Sequence, residues 1–74
     1  MTVINKTQQE LKNLYDKLKK VVSKPISKTE QTEIYIVGEK TIEISFDKNH
    51  NAAMYIQYDD NGKMEKVYKL WEVK

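Results

Sequence analysis

The sequence predicts an α+β fold in which an N-terminal helix packs on one face of a four-stranded antiparallel β-meander (α-β-β-β-β). Three observations carry this reading. Apolar residues recur at helical spacing over positions 3–22, four strand-like runs follow between Gln31 and Val73, and short turn-forming segments separate those runs. Seventy-four residues make one domain, 1–74. A chain of this size buries only about 60% of its unfolded surface, so association with something else would add to its stability.

The helix is expected over residues 2–23. At 100° per residue, Val3, Ile4, Thr7, Leu11, Leu14, Tyr15, Leu18, Val21 and Val22 share one arc, with Lys6, Asn13, Lys20 and Lys24 opposite. Val3 and Ile4 fall in the arc, which places the start at Thr2 as N-cap. The competing start is Thr7, where Thr7 and Glu10 have the spacing of a capping box. Pro25 ends the helix, and Lys19, Lys20 and Lys24 suit the negative pole of its dipole.

Strands are expected at about 31–37, 41–47, 52–59 and 63–73. A three-residue loop at Gly38-Glu39-Lys40 pairs Ile36 with Ile42 and Ile34 with Ile44. Asp47 to Asn51 turn the chain again, and Phe46 opposite Ala52 sets Ile44 beside Met54 and Ile42 beside Ile56. This register gives an inner face of Ile34, Ile36, Ile42, Ile44, Phe46, Met54, Ile56 and Tyr58. It leaves Tyr35, Val37 and Tyr55 on the outer face. Asp59-Asp60-Asn61-Gly62 is a hairpin signal with two outcomes. A two-residue loop turns Tyr68 and Leu70 outward, whereas a three-residue loop with a bulge turns Val67, Trp71 and Val73 outward. Either way large apolar side chains reach the outer face, and each register puts a lysine among the inner positions, so a bulge between Lys66 and Lys69 is expected.

Composition excludes more than it identifies. There is no cysteine, hence no disulfide or thiolate metal site, and a cytoplasmic setting is expected. Residues 1–30 carry a net charge of +4 and residues 31–74 a net −2, and every basic residue is lysine. Without arginine the usual bidentate reader of guanine and phosphate is missing. No stretch is apolar enough for a membrane span, and the apolar arc of the helix is needed by the sheet.

Catalytic and metal sites find few candidates. His50 is the single histidine, the carboxylates pair only as Asp59-Asp60 in a turn, and the two glycines lie in turns rather than in a phosphate loop. Asp47, Asn49 and Asn51 start like a calcium loop, but Ala52 and Tyr58 stand where glycine and the bidentate glutamate are needed. No enzyme activity, cofactor or metal is expected.

What remains is the outer face. Tyr35, Val37, Tyr55, Tyr68 and Trp71 form a candidate protein-interaction patch for a homodimer or for a larger partner protein. Single-stranded nucleic acid stacked on the sheet tyrosines, with helix lysines on the phosphates, is the alternative. The short, lysine-rich, arginine-free composition resembles that of accessory proteins of AT-rich bacteria or their phages, which implies a protein that binds and inhibits a larger one.

Overall fold

The computed structural model describes residues 2–70, and it is α+β with one helix on a six-stranded mixed sheet. The strands are β1 (Thr2–Lys6), β2 (Ser27–Lys28), β3 (Thr32–Val37), β4 (Lys40–Phe46), β5 (Ala52–Tyr58) and β6 (Met64–Leu70), and helix α1 spans Gln8–Val21. Sheet order is β1-β6-β5-β4-β3-β2. Residues 32–70 form the expected four-stranded meander, and two edge strands that the periodicity did not show extend it to six.

The first correction concerns residues 2–6, which are a strand rather than the first turn of the helix. Thr2, Val3 and Ile4 are β-branched in succession, a run that fits a pleated surface better than a helix. They lie parallel to β6, with Val3 opposite Val67 and Ile4 opposite Tyr68. The helix starts at the other candidate position. The Thr7 side chain accepts from the Glu10 backbone, and the Glu10 carboxylate accepts from the Thr7 backbone, closing the capping box. Donation from Thr7 holds the Glu10 carboxyl below the usual range. Val22 closes the last turn onto Leu18, in extended conformation and three residues before Pro25.

The second correction concerns register. β3 joins β4 through a two-residue Gly38-Glu39 turn, with Gly38 at φ 61°, so that Val37 faces Lys40 and Tyr35 faces Ile42. Relative to a three-residue loop the strand slips by one residue, and every side chain of β3 changes face. Between β4 and β5, Phe46 does face Ala52, but Ala53 is bulged out. Beyond the bulge Ile44 faces Tyr55 and Glu43 faces Ile56. Between β5 and β6 the chain turns through Asp60-Asn61-Gly62, with Gly62 at φ 80° and the Asp59 N–H donating to the Lys63 carbonyl. A bulge at Glu65 then sets Gln57 opposite Lys66 and Tyr55 opposite Tyr68.

Those two turns are built alike. In one, the Asp47 carboxylate accepts the backbone N–H groups of Asn49 and Asn51 at 2.9 and 3.0 Å, and His50 takes a left-handed φ of 67°. In the other, Asp59 accepts from Asn61 and Lys63, both at 2.9 Å, and Gly62 occupies the left-handed position. Each aspartate satisfies backbone donors that the ladder leaves over.

The core lies between α1 and the sheet. Leu11 and Leu18 descend from the helix onto Tyr35, Ile42, Ile44 and Ala52, with Leu11 1% and Tyr35 0% exposed. Tyr15, Phe46 and Tyr55 are among the half-buried side chains that pack around this cluster.

Candidate interaction face

The side of the sheet away from α1 has no second layer among the described residues. Register places one row across it: Ile34 on β3, Glu43 on β4, Ile56 on β5, Val67 on β6 and Val3 on β1. Val67 is 8% exposed and lies outside the core cluster, in this row between Ile56 and Val3. Ile36, at 46%, and Met64, at 45%, extend the apolar surface toward one end of the strands. Met54 continues it toward the other, bordered by Thr32, Ser45 and Asn5.

Two charged residues share this face among the described strand residues. Glu43, half-buried on β4, accepts a 2.9 Å hydrogen bond from the Tyr58 hydroxyl. Lys69, exposed on β6, sits opposite Met54 on one side and Asn5 on the other. Burial, followed by the bond to Glu43, pushes the Tyr58 hydroxyl above the usual tyrosine range.

The aromatic patch read from the sequence lies on the other side. Tyr35, Val37, Tyr55 and Tyr68 all face the helix. Tyr35 is fully buried, and the rings of Tyr55 and Tyr68 pack at a tilt of 60° with centroids 5.5 Å apart. Lys6 and Lys66 place their ammonium groups 5.5 and 5.6 Å from the Tyr68 ring. Trp71 lies outside the described residues. The slip at Gly38 and the bulge at Ala53 exchanged the faces of β3 and β5. Ile34, Ile36, Met54, Ile56 and Tyr58, expected inside, thus form the open surface. The stacking platform for single-stranded nucleic acid depended on the same tyrosines, which are on the helix side.

One polar group is buried beneath the helix. Glu33 is 6% exposed and accepts hydrogen bonds from the hydroxyls of Tyr35 and Tyr15, the latter at 2.9 Å. Burial by itself raises this carboxyl. Donation from the two tyrosines, with Lys28 and Lys19 nearby, outweighs it and holds the group below the usual glutamate range. Burial and the bond to Glu33 push the Tyr35 hydroxyl strongly upward. The trio ties α1 to β3. Its acid has both tyrosine donors engaged and little access to water, which suits structure better than proton transfer.

The helix leaves a groove along each flank. One, of about 640 Å³, runs from Gln8 and Lys12 past Tyr15 to Phe46, His50 and Asn51. The other, of about 280 Å³, lies over Leu14, Leu18, Val37, Ile42 and Tyr55. His50 sits with its ring 5.4 Å from that of Phe46. Among the described residues no three metal-ligating side chains come together, and no helix is long and apolar enough to cross a membrane. The Asp47 carboxylate is engaged by its own turn.

Comparison with protein-family models, with curated proteins and with solved structures finds no significant match.

Proposed function

We propose that this chain is a non-enzymatic protein–protein interaction module that works through the open face of its sheet. The observation that supports this is the apolar row Ile56, Val67 and Val3, with Ile34 beyond Glu43 and exposed Ile36 and Met64 alongside, on a face without a second layer among the described residues. Sheets with one apolar face bury it against another element, and a contiguous exposed patch on a small protein marks where a partner sits. The polar border of Thr32, Ser45 and Asn5 has the composition of an interface rim. Acting in the cytoplasm as an accessory protein, such a module occupies a surface of its partner and modulates it by doing so.

The test compares the chain with a variant carrying Ile36→Lys and Met64→Lys, both at exposed positions where the fold tolerates charge. In extract from cells producing it, the original chain is expected to elute well above its own mass of 8.8 kDa, and the variant at that mass. Elution of both at 8.8 kDa, or an assembly that the double substitution leaves unchanged, refutes the reading.

A further inference from the structure

The geometry points to a second copy of the chain as the occupant of the open face, in an isologous face-to-face dimer centred on β5. This rests on the reading of that face as an interaction surface. The two charges that the face carries favour a twin over an unrelated partner. In an isologous dimer each residue i that meets residue j is matched by j meeting i. A second copy supplies both counter-charges at once when a two-fold axis exchanges the acid and the base.

Glu43 and Lys69 are placed for that exchange. Glu43 is opposite Ile56 and Lys69 is opposite Met54, so they lie on the two strands flanking β5 and one pleat apart along it. Their separation is about 9.6 Å across the strands and about 6.8 Å along them. A two-fold axis in the plane of the interface acts on the face as a mirror line. Set perpendicular to the Glu43–Lys69 line at its midpoint, it crosses β5 between Met54 and Ile56. It brings each Glu43 onto the partner's Lys69, and both ion pairs form at once. Met54 and Ile56 then meet their own counterparts near the axis, with Val67 filling in beside them. The strands of the two sheets cross at roughly 70°, nearer the orthogonal than the aligned class of sheet packing.

Area agrees with a weak dimer. The 34 strand residues, each about 3.4 Å along the strand and about 4.8 Å across it, present at most about 550 Å² per copy. The pair therefore buries about 1,000 Å², at the lower bound for a specific interface. An interface at that limit is expected to be weak, so the dimer is sought over a wide range of concentration.

The experiment is sedimentation or light scattering of the purified chain from micromolar to submillimolar concentration, with charge-swapped variants. The average mass is expected to rise from 8.8 kDa toward twice that value. Lys69→Glu alone puts Glu43 against glutamate and is expected to stay monomeric, as is Glu43→Lys, which puts lysine against Lys69. An equimolar mixture of the two restores both pairs and dimerises, and so does the chain carrying both changes. Should Glu43→Lys fail to fold for want of the Tyr58 bond, Lys69→Glu at its exposed position carries the test, and an unchanged mass there overturns the proposal. A wild-type chain that is monomeric throughout overturns it as well, as does a mixture that stays monomeric while each variant is folded. If the pure chain is monomeric but its assembly in extract still depends on Ile36 and Met64, the twin falls and the interaction face stands.

Discussion

Replacing Tyr35 with phenylalanine removes one hydroxyl donor from the buried Glu33 carboxylate. The Glu33 carboxylate is 6% exposed and Tyr35 is 0% exposed, so water cannot take the place of the lost hydroxyl. A hydrogen bond to a charged group contributes about 1.5–3 kcal/mol, and a buried acceptor left short of donors lies toward the upper end. Tyr35→Phe is therefore expected to destabilise by about 2–3 kcal/mol. In a domain of this size each kcal/mol moves Tm by about 4–8 °C, so the loss is large enough to read by thermal or urea unfolding followed by circular dichroism. Tyr15→Phe, whose hydroxyl is 2.9 Å from the same carboxylate on a half-buried ring, is expected to cost about 1 kcal/mol. The double variant is expected to be non-additive, because both singles act on one acceptor. The pH profile supplies a second reading. The folded Glu33 carboxyl titrates below its unfolded counterpart, so its stabilising contribution is complete above the ordinary glutamate value of about 4.3 and is lost as the pH falls through the folded value. Tyr35→Phe is expected to flatten that acid limb. A variant within about 0.5 kcal/mol of wild type at pH 7, with the acid limb unchanged, would refute the assignment of Glu33 as a buried carboxylate held by tyrosines.

Two further substitutions test the frame around this trio. Thr7→Ala opens the capping box that starts α1 and is expected to cost about 1 kcal/mol in urea unfolding, with faster amide exchange at residues 8–10. An unchanged midpoint would mean that packing rather than the cap sets the helix start. Leu11→Ala empties a position 1% exposed at the centre of the core and is expected to cost about 3–5 kcal/mol. That approaches the whole stability of a chain this short, and a cooperative transition near the wild-type midpoint would show that the core lies elsewhere.

The sequence made the helix, the meander and the turns between its four strands legible, but not the edge strands or the turn at Thr29 to Thr32, and it misassigned the faces for identifiable reasons. In β4 the alternation Ile42, Ile44, Phe46 against Thr41, Glu43, Ser45 has one reading, and the structure agrees with it. In β3 every residue from Ile34 to Val37 is apolar, so the pattern does not choose a face and the length of the Gly38 turn decides. Glu33 made the wrong choice look right, since an acid at a core position is visible only when its tyrosine donors are known. Ala53 carries no side-chain signal of the bulge that turns β5 over. In the fourth strand a bulge is expected between Lys66 and Lys69 because each simple register buries a lysine, whereas the bulge lies at Glu65, before that stretch, and Lys66 stays on the helix side opposite Gln57. The candidate site inherited these slips. An open apolar face was legible, but its members were taken from the wrong parity on two strands. For β1, the signal lies in Thr2-Val3-Ile4 and in the Thr7–Glu10 spacing, but Val3 and Ile4 also continue the helical arc, and periodicity alone does not separate the two.

The parallel pairing of β1 with β6 has a consequence for the order of assembly. Residues 2–6 pair with residues 66–70, so the first described strand to be synthesised waits for the last. The hairpins from β3 to β6 can close locally, each across a short turn, while β1 has no partner until the end. Contacts of such long sequence separation slow folding, because the entropy of closing the loop is lost before the pairing is gained. The N-terminal segment is then expected to be the last to acquire amide protection during refolding, and α1 to dock on the meander before the strand that precedes it.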